Sequence, residues 1–140
     1  MKDGIDLIVG LGNPGLEHSK TRHNAGFWFV DTLAQQFACQ FSNESRFHGE
    51  VTRISSTGVD CRVLKPLTFM NESGRAVQAA LDYYKINSEE MLVAHDEIDL
   101  DAGIVRLKQG GGHGGHNGLR DIIGKTGDKN FLRLRIGVSH

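Results

Sequence analysis

A single α/β domain, a twisted mixed β-sheet packed between helices, is the fold this chain of 140 residues predicts. Short apolar runs that read as strands alternate with stretches whose apolar residues recur every three or four positions. No low-complexity linker, internal repeat or break in composition marks a second unit, so one domain is expected over residues 1–140. A chain of this size buries about 68–70% of its unfolded surface and needs neither disulfide nor metal to hold a core.

The elements follow in order. Residues 5–9, closed by Gly10, form a short apolar run and predict a buried strand. From Asn24 to Phe41 the residues Phe27, Val30, Ala34, Phe37 and Phe41 keep helical spacing, with Asn24 as N-cap. Residues 60–65 predict a strand stopped by Pro66. A helix follows Asn71, with Val77, Ala80, Leu81 and Tyr84 on one side, and residues 91–94 predict a strand ending at His95-Asp96-Glu97. Then come a strand over 104–108, a glycine-rich loop, and a short helix from Asn117 carrying Leu119, Ile122 and Ile123. In the last strand Leu132, Leu134, Ile136 and Val138 alternate with Arg133, Arg135 and Gly137, which puts both arginines on one face.

Composition narrows the functional classes. With 39% hydrophobic and 24% charged residues the chain is neither disordered nor fibrous. No apolar run approaches the ~18 residues of a membrane span, and the N-terminus lacks a signal-peptide core, so a cytoplasmic protein is expected. Cys39 and Cys61 lack C-x-x-C spacing and are expected as reduced thiols, Cys39 within a helix. Glycine supplies 18 residues, six of them between Gly110 and Gly118. Charge is uneven: residues 1–102 carry net -6 and residues 103–140 net +5, a basic sector suited to an anionic ligand or to a solvated face.

Gly10-Leu11-Gly12-Asn13-Pro14-Gly15 fits the dinucleotide pattern, but no helix opens at its glycines to meet a pyrophosphate. Five residues, not four, separate Gly118 from Gly124-Lys125-Thr126, which rules out a phosphate-binding Walker loop. His113 and His116 could ligate a metal with His95 or Asp96, yet no further ligand completes the set. The loops after Val9, Pro66, Ala94 and Lys108 are the polar ones and are expected at one sheet edge. They bring His23 and Asp96 within reach of each other, and an Asp that accepts from one ring nitrogen leaves the other free as a base. Gly-x-Ser-x-Gly is absent, so water is the expected nucleophile. Asn13, Asn71 and Asn117 occupy the same expected edge; each offers a donor and an acceptor for a peptide amide, and each equally suits a turn or cap.

These residues lie within segments that resemble the successive signatures of bacterial peptidyl-tRNA hydrolase: residues 9–15, 21–26, 65–74, 95–100 and 110–119, in register from about residue 5 to residue 140. The resemblance implies a monomeric α/β enzyme without metal or cofactor that hydrolyses the ester joining a peptide to the 3′ end of tRNA, which recycles tRNA for translation. By resemblance the base is His23 and its orienting carboxylate Asp96. The residues that grip substrate are Asn13, Met70, Asn71, His116 and Asn117, and Lys108 and Arg135 bind tRNA phosphate. Two departures stand out. His18 occupies the place of the family's usual tyrosine, and family members continue past the equivalent of His140. Self-association through apolar surface left uncovered by that difference is therefore expected. A tRNA- or RNA-binding module without catalysis is the alternative, although 1 Trp and 2 Tyr are few for base stacking.

Overall fold

The computed structural model describes residues 4–14 and 24–138. Seven strands form one sheet: β1 (Leu7–Gly10), β2 (Ser42–Glu44), β3 (Gly49–Ser56), β4 (Val59–Pro66), β5 (Met91–Glu97), β6 (Val105–Gln109) and β7 (Leu132–Gly137). Their spatial order is β2-β3-β4-β1-β5-β7-β6. β1 pairs in parallel with β4 and β5, and β5 with β7, whereas β2-β3-β4 and β6-β7 are antiparallel. The sheet is mixed, as the sequence predicts.

Helix α1 (Ala25–Gln36) covers one face at β1 and β5, and α2 (Ser73–Tyr84) and α3 (Asn117–Thr126) pack against each other on the opposite face. Strand alternation divides the core accordingly. Leu7, Val9, Met91 and Val93 join Val77, Ala80, Leu119, Ile122 and Phe131 on the α2/α3 side. Ile8 joins Val30, Ile54, Cys61 and Val63 on the α1 side. The α1 seam depends on small residues: a Cβ on Gly26 would collide with the Ala94 carbonyl and the Leu11 backbone, and one on Gly10 with the Gly26 carbonyl. Gly10 of the dinucleotide-like pattern thus serves close helix-on-strand packing.

Four expectations need correction. Helix α1 stops at Gln36 rather than running to Phe41, because Ala38 takes a left-handed φ of 54° and turns the chain. Phe37 is consequently exposed. Cys39 lies past the helix, its Sγ bonded to the carbonyls of Phe37 and Arg53. Residues 42–56, for which no element was predicted, form β2 and β3. Pro66 closes β4 from inside it, beyond the last pairing with β1 (Val9 with Leu64), where its missing N–H deprives β1 of nothing.

One strip of sheet is uncovered. All five residues of β6 are exposed, and Val105 and Leu107 share the α1-side face with their register partners Ile136 and Leu134; Leu107 is 65% exposed. Among the described residues no helix is long and apolar enough to cross a membrane.

Candidate active site

The tips of three parallel strands, β1, β4 and β5, collect polar side chains at one edge. Asp96 stands near the end of β5 and is only 4% exposed. Its Oδ1 accepts a hydrogen bond from His116 Nε2 at 2.8 Å. His116 has its tautomer set from the other side, since its Nδ1 accepts from the backbone N–H groups of Gly118 and Leu119 as the N-cap of α3. Nε2 must then carry the proton and donate it to the carboxylate. Asn117 heads this helix as expected, as its first residue, and the cap is His116 rather than Asn117.

Asp96, His116 and Asn117 line a cavity of about 150 Å³ together with Met70, Glu97, Ile98, Gly114 and Gly115. Asn13, past the tip of β1, accepts from the Met70 N–H at 2.7 Å through Oδ1. That bond fixes the amide and leaves its Nδ2 group without a partner among the described residues. Asn13 itself lines a neighbouring hollow with Trp28, Lys65 and Leu67 rather than the Asp96 cavity. Asn71, in a 3-10 turn over Met70–Glu72, is exposed and lines neither. The structure therefore brings Met70, Asp96, His116 and Asn117 together, ties Asn13 to them through Met70, and leaves Asn71 to one side.

His23 and His18 lie outside the described residues. Asn24, the next described residue, accepts from the Asn13 N–H at 2.9 Å instead of capping α1 through its side chain. With Gly26 packed on Ala94, the start of α1 is pinned beside the ends of β1 and β5.

A second groove of about 310 Å³ adjoins the first through Glu97 and Gly114, and holds Lys108, Arg133 and Arg135 with His95 and His113. The two arginines predicted on one face differ in role. Arg135 is part-exposed, its Nε 3.2 Å from Glu97 Oε1. Arg133 is 2% exposed and, among the described residues, donates only to backbone carbonyls. Glu97 and Arg133 are residues that sequence reasoning missed; strand alternation gives the face but not the depth. His95, 2% exposed, donates from Nδ1 to the Asp96 carbonyl, and its Nε2 has no partner among the described residues. Burial first, then the nearby His116, pushes its pKa down to about 4. The glycine loop also departs from expectation. β6 runs antiparallel, so its end, Gln109 beside Leu132, lies at the edge opposite Asp96, and the loop must cross back.

The chain matches the family described as peptidyl-tRNA hydrolase over residues 7–140. It belongs to that family. Peptidyl-tRNA hydrolase of Coxiella burnetii (strain RSA 331 / Henzerling II) is 55% identical over 140 residues, covering 100% of this chain and 73% of the relative. That of Pectobacterium atrosepticum is 58% identical over 137 residues, covering 97% and 70%. The crystal structure of peptidyl-tRNA hydrolase from Acinetobacter baumannii superposes with a TM-score of 0.93 at 54% identity, covering 97% of this chain and 69% of that one. Peptidyl-tRNA hydrolases are ester hydrolases whose substrate is peptidyl-tRNA, and this chain is a hydrolase of that family acting on that ester.

Proposed function

We propose that residues 1–140 act as one peptidyl-tRNA hydrolase domain in which His23 takes a proton from water while that water attacks the ester carbonyl. Asp96 supports the imidazolium that results. A positioned base is worth ~10²–10⁴ in rate, and amide donors on the developing oxyanion contribute a comparable factor. In this reading Asn13, Asn71 and Asn117 supply amide donors and acceptors to the peptide, with Met70 and His116 as walls of the cavity.

One observation carries the assignment: a buried carboxylate, Asp96, is held by a tautomer-fixed His116 in the lining of a cavity that adjoins the groove of Lys108 and Arg135. The hydrogen bond from the Asn13 N–H to Asn24 supports His23 as the base at this edge. Lys108 and Arg135 bind the tRNA phosphate in this account, because they line the adjoining groove. A cytoplasmic enzyme fits this substrate. The exposed Val105 and Leu107 favour self-association of two copies through the β6-β7 face.

Release of peptide from an N-blocked aminoacyl-tRNA, by this chain and by its His23→Ala variant, tests the reading. The expected result is turnover by the parent and a loss of ~10²-fold or more in the variant. Binding of tRNA with no release by either protein would favour the non-catalytic RNA-binding alternative.

A further inference from the structure

Asp96 stands level with Ile136 on β7, whereas β6 ends level with Leu132. The seven residues 110–116 must therefore travel four register positions along the sheet, roughly 13 Å at ~3.3 Å per residue, before His116 can meet Asp96. Five of the seven are glycines, and Gly110, Gly111, Gly114 and Gly115 all take positive φ, Gly111 at +101°. Such a segment has almost no side chains with which to pack itself, and it loses more backbone freedom than any other when fixed.

Arg133 sits one register position along that path from the end of β6, on β7 opposite Lys108 and Val93. Its guanidinium donates from Nη1 to the Gly112 carbonyl at 2.8 Å, and from Nη2 to those of Gly111 at 2.6 Å and Lys129 at 2.7 Å. It lies 4.2 Å from the centroid of the Phe131 ring. No carboxylate pairs with it among the described residues. Burying a cation against carbonyl dipoles alone is costly, and an aliphatic side chain would fill the same space without that cost. The rigid planar fork is what three converging carbonyls require; an ammonium on a flexible stem satisfies them poorly.

We propose that Arg133 is a positioning residue for the hydrolysis: by clamping the carbonyls of Gly111 and Gly112 it sets the path of the glycine segment, and so holds His116 on Asp96 and Asn117 at the cavity. It does so without contacting phosphate, in contrast to its neighbour Arg135. This inference rests on the assignment of the Asp96 cavity as the site of ester cleavage.

The test compares Arg133→Lys with the parent on two substrates, an N-blocked aminoacyl-tRNA and the corresponding N-blocked aminoacyl ester of adenosine. Hydrogen exchange over residues 110–117 and the thermal midpoint are read alongside. Phe131→Leu, which removes the ring beneath the guanidinium but none of its donors, is the stability control. The expected result for Arg133→Lys is a fall in kcat of about tenfold or more on both substrates. KM should be little changed, and exchange at 110–117 should be faster while the protein remains folded at the assay temperature. Phe131→Leu, with a comparable drop in midpoint, should keep its kcat.

Unchanged kcat on the short ester with loss confined to the tRNA substrate would make Arg133 a phosphate contact and overturn the proposal. Unfolding of Arg133→Lys at the assay temperature, or equal kcat losses in both variants, would make it a structural residue and overturn it equally. Failure of the site assignment is separately visible: Asp96→Asn would then keep full turnover, whatever the exchange data show for the loop.

Discussion

At the scale of residues, the ionisation of His95 gives the account a pH dependence. The unfolded chain takes up the His95 proton near the ordinary value of 6.5, whereas the folded protein takes it up only near 4. Between those values the unfolded state binds more protons, so this contribution is full above about pH 6.5 and is lost as pH falls toward 4. The shift corresponds to ~3 kcal/mol. Denaturant midpoints measured from pH 7.5 to 4 should fall in the parent, and should fall less steeply in His95→Asn, whose side chain has no proton to gain. Lys108 and Arg135 yield a second expectation at this scale. Replacing either with Ala should weaken tRNA binding and reduce the slope of log K against log salt by about one unit. Cleavage of the short ester should be nearly unchanged; equal losses on both substrates would make them structural. The position of Asp96 was legible because a strand terminus aims its last side chains at a loop edge. Its bond to His116 was not, because twenty residues and a loop that reverses across the sheet separate the pair. Likewise the alternation of β7 could not tell the buried Arg133 from the part-exposed Arg135; depth comes from the loop folded over one of them.

Among the elements, the helices were read from periodicity wherever tertiary packing agreed with it, as at Val77, Ala80 and Leu81 or at Leu119 and Ile122. The pattern misled at the end of α1. Phe37 and Phe41 keep a spacing of four, yet Phe41 packs on the Val30 cluster from beyond the turn at Ala38. Strands β2 and β3 were missed because their residues are mostly polar and offer no apolar run, although Gly49, Thr52 and Ile54 of β3 are buried. Helix α2 supplies a prediction of its own. Lys85 ends it in a left-handed conformation with φ of 57°, a geometry that costs a side-chain-bearing residue and suits glycine. Lys85→Gly should therefore stabilise the protein by about 0.5–1 kcal/mol, net of the entropy glycine adds to the unfolded chain. The thermal midpoint should rise by ~2–4 °C. An unchanged or lower midpoint would mean that Lys85 makes up the strain elsewhere.

For the whole molecule, the mixed sheet and single domain follow from alternating strand and helix patterns, whereas the open β6-β7 face emerges only from packing, since α1 reaches β5 and stops short. Covering Val105 and Leu107 on two copies is worth several kcal/mol at about 25 cal/mol per Å². Association costs ~4–15 kcal/mol, so the dimer should be weak. Light scattering should show concentration-dependent self-association that Leu107→Glu abolishes; a strictly monomeric parent at high concentration would contradict it. The central claim, that ester cleavage occurs at the buried Asp96 under the hold of His116, is tested most directly by the kcat of Asp96→Asn on an N-blocked aminoacyl-tRNA. Asparagine keeps an oxygen for the His116 Nε2–H, so the fold survives while the charge that supports an imidazolium is gone. The account predicts a fall in kcat of ~10²-fold or more with KM within a few-fold of the parent. A folded Asp96→Asn enzyme with kcat near the parent value would contradict it.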